Sequence, residues 1–453
     1  MRQSLSSDVD TEIRALAVSR HRAWSITVLA MLALSVTLVQ RQALAALAVT
    51  VTDSLAISHI GYGWLSSGFA SAYLIGSLPA ARLIQVTGPR IGLAATLACA
   101  SLVIGLHGVV ESYPMLLALR IMLGLAVAPS FACAAHTLHR VLPFKDRARG
   151  IGMLYMGNSL GSAVCPPLTV LIASMFGWRD AFVWVAAAGI AWIPFWIATA
   201  FTGQARLTLD KPSVPPPSPV LLPSVPARRD RSWLSLTRVV RNPAIARGNF
   251  VVAAAAPITT VMLLWGAKYL ADDHGVAQNE VGHYLWAPAL FFGSGSLLFG
   301  ELRARSARAR VTTRPPRGLV AVATVLSALM AAVPSAHDPQ TCIAIASIAM
   351  MGAGGLYTLA TTDMLTSAAR GTIPATTGLT TLTQSFVYIV VSPVIGTMVE
   401  HFGNYRWVMI GAGLWVLPGC IYWLLDATLR GAHRARTAGG PQAPPSNTQS
   451  DDV

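Results

Sequence analysis

Two arginines lie inside apolar stretches of this chain, Arg41 in LSVTLVQRQALAAL and Arg120 in MLLALRIMLGL. At the centre of a bilayer an arginine costs at least ~2.5–3.5 kcal/mol on the mildest insertion scale. Charges kept there are expected to face a water-filled cavity and to meet a counter-ion or an anionic ligand. A guanidinium offers five fixed N–H donors and can grip a carboxylate at two points. The structural alternatives are donation to backbone carbonyls and snorkelling, the second disfavoured for Arg41 by its position near mid-span. Asp363, in IAMMGAGGLYTLATTDMLTSAARG, is the one carboxylate well inside a predicted span. Such a group can take up and release protons during a transport cycle. Its alternative is a solvated or paired role near the end of its helix, with Arg370 two turns away.

The elements that must position these residues are membrane helices. Of 453 residues 54% are hydrophobic and 11% charged, with a mean hydropathy of +0.56, whereas a soluble domain carries about 25% charged residues. A crossing takes about 20 apolar residues. Such runs fall at 24–48, 61–84, 91–110, 114–138, 150–176, 180–201, 247–271, 281–302, 317–336, 341–368, 374–399 and 405–426, so an all-α protein of twelve transmembrane helices is expected. With the N-terminus inside, 28 of the 33 Lys and Arg residues fall on the cytoplasmic side, and only Arg179, Lys268 and Arg406 fall outside. That asymmetry puts both termini in the cytoplasm. The net charge of +14 therefore reads as topology and contact with anionic lipid, not as a nucleic-acid surface. The five cysteines sit in apolar runs without metal-ligand spacing, and neither a metal nor a cofactor is expected. No cleavable signal is visible before Trp24.

The expected organisation is a cytoplasmic segment 1–23, a six-helix bundle 24–201, a linker 202–246, a second bundle 247–426 and a disordered cytoplasmic tail 427–453. The linker contains KPSVPPPSPVLLPSVPARRDR, a composition suited to an extended spacer. A weak repeat supports two equivalent halves. SMFGWRDAFVW resembles EHFGNYRWVMI, with Phe176 and Phe402 226 positions apart, and Ala148-Arg149-Gly150 matches Ala369-Arg370-Gly371, 221 apart.

Residues 117–184, LALRIMLGLAVAPSFACAAHTLHRVLPFKDRARGIGMLYMGNSLGSAVCPPLTVLIASMFGWRDAFVW, carry a more specific pattern: an Arg, a Gly-rich turn, a proline, a basic cytoplasmic loop, G-x-x-x-G and FGWR…F. LLWGAKYLADDHGVAQNEVGHYLWAPALFFGSGSLLFG adds a second stretch. In these the chain resembles the major facilitator superfamily, and within it the anion:cation symporter branch of sugar-acid and organic-anion transporters. The resemblance implies two six-helix bundles alternating around a central site, no covalent chemistry, and symport of the anion with protons. It maps the branch's span-one and span-four arginines onto Arg41 and Arg120, and polar substrate contacts onto Tyr73 and Asn158. The branch's acids are missing: Gln40 precedes Arg41, and Val127 stands seven residues after Arg120. Its span-two to span-three gate motif survives as Gly76, Gly88 and Arg90, with Gln85 at the acid and Val86 at the following Arg.

The expected protein is thus a monomeric secondary transporter of the bacterial inner membrane, moving a small organic anion such as a carboxylate or sugar acid. Arg41 and Arg120 would hold the anion and Tyr73 and Asn158 orient it. Proton coupling, coupling through Asp363, exchange and facilitated diffusion all stay open. The alternatives are an efflux transporter for a metabolite or drug and, in another class, a polytopic membrane enzyme or receptor. Against the last stands the lack of clustered catalytic or metal-binding residues at the membrane surface. For Asn158 an interhelical hydrogen bond is the structural alternative, and for Tyr73 packing. Trp265 and Trp286 could line the cavity or face lipid.

Overall fold

In lipid a chain can satisfy its backbone N–H and C=O groups only as helices or a closed barrel, and every regular element of the described residues is helical. The computed structural model describes residues 19–210, 242–310, 317–368 and 373–438. The Pro-rich stretch of the linker, the second Ala-Arg-Gly landmark with Arg370, and residues 439–453 of the tail lie outside the described residues. In chain order the helices are α1 (Arg20–Ala46), α2 (Ala48–Ser54), α3 (His59–Ser77), α4 (Ala80–Leu106), α5 (Tyr113–Val127), α6 (Ser130–Val141), α7 (Phe144–Phe176), α8 (Trp178–Ala200) and α9 (Gly203–Asp210). After the linker come α10 (Pro243–Thr260), which passes through a π turn into α11 (Gly266–His274), then α12 (Val281–Arg310), α13 (Arg317–Ala328), α14 (Pro339–Ser367), α15 (Ile373–Phe402) and α16 (Arg406–Ala438).

Eleven stretches of the described residues are long and apolar enough to cross a bilayer. This is a multi-pass membrane protein. The remaining expected crossing is α3. Its 19 residues rise about 28 Å at ~1.5 Å each, close to the ~30 Å hydrocarbon core. Its serines, glycines and tyrosines keep it below the apolarity of the others, and it is covered by protein, packing against both α5 and α15.

Three boundaries differ from the sequence expectation. The span expected at 61–84 stops at Ser77, because Leu78-Pro79 breaks the helix, and Ala80 opens α4 instead. Within α4 the chain kinks at Gly88, whose φ of 75° few side chains tolerate. The tail expected from residue 427 continues as helix to Ala438.

The sequence repeat has a structural counterpart. Gly177 and Gly403 end α7 and α15 at positive φ, and their N–H groups donate to Ala173 and Val399 carbonyls, both at 2.8 Å. At the same level of the molecule, the Asp338 carboxylate caps α14 by accepting from the Thr341 N–H at 2.8 Å. That bond holds its pKa below the usual carboxylate range.

Small residues set the helix spacing within each half. A Cβ on Gly157 or Gly161 of α7 would run into the α1 backbone at Met31 and Ser35, so α1 and α7 touch through G-x-x-x-G. Between the halves small residues again set the spacing. Gly63 of α3 lies against Ser392 and Pro393 of α15, Gly396 of α15 against His59 and Ile60, and Gly282 of α12 against Pro167 of α7. All three lie toward the loops at 55–58, 275–280 and 403–405, the side opposite the chain termini.

Candidate functional site

The closed side of the molecule is sealed by hydrogen bonds that join the halves. Tyr62 donates its hydroxyl to the Leu264 carbonyl at 2.5 Å, and Ser67 donates to the Ile389 carbonyl at 2.7 Å. Lys268 donates to Thr52 Oγ1 at 3.2 Å, Gln278 Nε2 to the Ala46 carbonyl at 2.7 Å, and the Ile60 N–H to Glu400 at 2.9 Å. Trp265, fully buried, plugs the centre: its ring meets Tyr62 edge-on at 4.9 Å and its Nε1–H donates to Ser392. Trp265 thus belongs to the seal, whereas Trp286 is exposed and donates to the His283 carbonyl of its own helix.

Directly beneath this seal the two arginines come together. Arg41 of α1 lays its guanidinium over Tyr73, 4.7 Å from the ring centre, and beside Phe69 at 5.5 Å. Arg120 of α5 reaches the same Phe69 ring at 4.8 Å. Phe69 and Tyr73 stack one turn apart on α3, forming an aromatic shelf that holds both cations by their faces. Gly124 lets α5 approach that closely, since a Cβ there would meet the Phe69 carbonyl. Arg120 is 3% exposed and uses Nη2 to donate to the Arg41 carbonyl at 3.2 Å, while its Nε and Nη1 are buried without a hydrogen-bond partner. No carboxylate among the described residues lies within ion-pairing distance of either guanidinium. The backbone-carbonyl alternative therefore accounts for one nitrogen of Arg120 and leaves two donors aimed at nothing.

The residues standing where acids were expected do not fill the gap. Gln40 turns away from the shelf, donating through Nε2 to Ser101 at 2.9 Å. Val127 is fully buried in apolar packing. Gln42, one residue past Arg41, accepts from Ser162 at 2.9 Å and lines a small cavity with Ala46, Pro166, Met262 and Leu285, at the contact of the two halves.

Asn158 is not brought to the shelf. Contacts of Gly157 with Met31, Gly161 with Ser35 and Cys165 with Val39 fix a parallel register of α7 on α1. That register puts Asn158 level with Leu32, about 13 Å along the axis from Arg41 at ~1.5 Å per residue, toward the open side. It is half-buried and makes no hydrogen bond among the described residues. Gly76 packs α3 on α5 near Leu125 and Ala128. Arg90 is buried in its own half: it pairs with Asp210 of α9 at 2.8 Å, lies 4.0 Å over the Phe201 ring, and lends its carbonyl to Trp196.

Asp363 has a partner that the sequence reading placed elsewhere. It is Arg247, the fifth residue of α10 and 1% exposed. Its Nε and Nη2 donate to Asp363 Oδ2 at 3.1 and 2.8 Å, and Trp423 Nε1–H donates to the same oxygen at 3.1 Å. Asp363, fully buried, is thus the anchor joining α10, α14 and α16.

One polar cluster escaped the sequence reading altogether. On α15, Gln384 donates to the Tyr388 hydroxyl at 3.0 Å, which meets Thr259 Oγ1 at 3.0 Å, and Thr383 donates to Asn249 at 3.2 Å. The Tyr357 hydroxyl is buried beside Thr259, Gln384 and Tyr388. The α3–α15 contacts pair Gly63 with Pro393 and Ser67 with Ile389. Extending that antiparallel register puts Tyr73 level with Thr383. The cluster therefore sits at the depth of the arginine shelf, in the other half. Uncharged residues spread over three helices give little sequence signal; the i, i+4 pair Gln384 and Tyr388 was the only local one.

A family model described as the Major Facilitator Superfamily matches residues 23–386. The chain is 24% identical over 407 residues to the probable L-galactonate transporter of Escherichia coli (strain K12), covering 85% of this chain and 84% of that one. It is 24% identical over 270 residues to the hexuronate transporter of the same organism, covering 58% and 60% respectively. A probable galactarate/D-glucarate transporter of Bacillus subtilis (strain 168) is 22% identical over 289 residues, 61% of this chain and 64% of that one. Among solved structures, a bacterial homologue of the human lysosomal transporter Spinster, inward-facing and unoccupied, superposes with a TM-score of 0.73 at 16% identity, over 90% of this chain and 97% of that one.

Proposed function

Because the chain belongs to the Major Facilitator Superfamily, a family of transporters and not of enzymes, we propose that it carries a small sugar acid across the bacterial inner membrane by alternating access. One observation carries this reading: two guanidinium groups held on one aromatic shelf, with two donor atoms of Arg120 buried and no carboxylate among the described residues to meet either group. A ligand carboxylate supplies the missing acceptors and a bidentate grip. The cluster of Asn249, Thr383, Gln384 and Tyr388 at the same depth offers neutral donors and acceptors suited to sugar hydroxyls. The names of the relatives, transporters of galactonate, hexuronates and aldarates, support the same substrate class.

In this reading residues 24–201 and 247–426 are the two moving bundles, joined by linker 202–246, with segment 1–23 and tail 427–453 cytoplasmic. The sealed side is then the outer one, and the conformation is open to the cytoplasm. Asn158, about 13 Å inward of Arg41, lines the exit path. Gly76, Gly88 and Arg90 belong to the cytoplasmic gate, and Asp363 serves the architecture of the second half instead of proton coupling. The protein acts as a monomer among anionic lipids.

The test is equilibrium binding of L-galactonate and glucuronate to the detergent-purified protein, beside galactose and glucose. Binding of the acids and not of the neutral sugars is expected. Equal binding of both sets would remove the anion site.

A further inference from the structure

A carrier must return empty unless something rides back. Arg120 is already out of water, and during either passage the halves close over the centre and strip water from the half-buried Arg41 as well. Taking a charge out of water is unfavourable unless an opposite charge accompanies it. Three side chains could have supplied that charge, and none does. Gln40 is neutral and bonded to Ser101, Val127 is an aliphatic residue in the core, and Asp363 already serves as the counter-ion of Arg247, its second oxygen Oδ1 being buried without a hydrogen-bond partner. The remaining groups beside the shelf are no better. Tyr62 gives its hydroxyl proton to the Leu264 carbonyl, and His107 shares its Nδ1 with the Val103 carbonyl. Two donors of Arg120 are already without partners in the open form.

We infer that the protein is an anion exchanger, in which the loaded carrier crosses readily in both directions and the empty carrier crosses slowly. This inference rests on the sugar-acid reading of the same site and adds the mode of transport to it. The bound carboxylate halves the charge of the arginine pair, leaving one positive charge instead of two, so a crossing is easier with an anion aboard. Exchange of one monoanion for another moves no net charge and no proton. It should therefore proceed with both the pH gradient and the membrane potential collapsed.

The experiment reconstitutes the full chain in liposomes and follows radiolabelled L-galactonate entering vesicles that hold either unlabelled L-galactonate or none, with potential clamped and pH equal on both sides. Uptake into loaded vesicles is expected to exceed uptake into empty ones by about tenfold or more, the ratio that a barrier higher by ~1.4 kcal/mol for the empty carrier gives. An inside-positive potential should speed the slow net uptake and leave exchange unchanged. Equal rates into loaded and empty vesicles, from a protein that binds L-galactonate in detergent, would overturn the exchanger inference and leave the anion site standing. Net uptake that appears only when a proton gradient is imposed would overturn it as well. Absence of any binding of L-galactonate or glucuronate would overturn the sugar-acid reading and this inference with it.

Discussion

Each half of the molecule buries arginine, and the two halves treat it in opposite ways. In the second half, Arg247 at 1% exposure is matched by Asp363 at 0%, and Trp423 adds a third donor to the same carboxylate oxygen. In the first half, Arg120 at 3% exposure and Arg41 beside it have aromatic faces and one backbone carbonyl, but no anion among the described residues. Arg120 and Arg247 are buried alike, and the difference is the counter-charge. A buried cation that has its counter-ion within the fold serves the fold, even though Asp363 Oδ1 is left without a hydrogen-bond partner; a pair of cations with no counter-ion among the described residues is left for a ligand to complete. The contrast teaches which arginine to read as architecture and which as binding site, a distinction that residue type alone does not make.

Replacing the shelf arginines should give the largest effect. Arg41→Ala or Arg120→Ala is expected to weaken L-galactonate binding by roughly thirtyfold to several thousandfold, the ~2–5 kcal/mol that loss of one partner of a buried charge pair costs. The ligand-free thermal midpoint should hold or rise, because an uncompensated charge has been removed. Scintillation binding and a thermal melt of the same preparation check both halves of that statement.

The opposite pattern is expected at the second site. Asp363→Ala strips the carboxylate from Arg247 and should destabilise the protein by about 3–5 kcal/mol, seen as a lower thermal midpoint. The double replacement Arg247→Met with Asp363→Leu should recover most of the loss. A transporter that melts normally as Asp363→Ala but loses its response to a proton gradient would instead make Asp363 a coupling residue and break the comparison.

Much of the fold was legible in the sequence because a bilayer imposes simple demands. Apolar runs of sufficient length, and basic residues gathered on one side of them, gave the spans, and the G-x-x-x-G of Gly157 and Gly161 marked a close helix contact, whose partner in the fold is α1. The helix α3 was the hardest span to bound. It is covered by protein on several sides, so lipid does not demand a uniformly apolar sequence there, and the Leu78-Pro79 break lies inside a continuous apolar run. Arg41 and Arg120 stood out because a charge in an apolar run is conspicuous. Their partnership did not, since it depends on a shelf built from a third helix. Asp363 shows the same limit from the other direction. The sequence offered Arg370, seven residues away, whereas folding supplied Arg247, 116 residues away. Local spacing reports which partners are reachable along one helix and is silent on partners brought by packing.

Smaller effects refine the comparison. Tyr73→Ala and Phe69→Leu remove a cation–π face from the arginines, each worth ~0.5–2 kcal/mol, so affinity should fall roughly twofold to thirtyfold with the fold retained. Trp423→Phe keeps the ring near Arg247 and removes one hydrogen bond to Asp363. Its expected cost is about 1 kcal/mol of stability, with substrate affinity unchanged in the binding assay.

The most direct test of the central claim is a cycle that crosses ligand charge with Arg120. Affinities are measured for L-galactonate and for its uncharged counterpart galactitol, in the natural protein and in Arg120→Gln. If the guanidinium is there for the ligand's carboxylate, the natural protein favours the acid by about thirtyfold or more, near 2 kcal/mol, and Arg120→Gln shrinks that preference several-fold or removes it. An equal preference for the acid in both proteins would contradict the account, because the charge of the ligand would then be read somewhere other than Arg120.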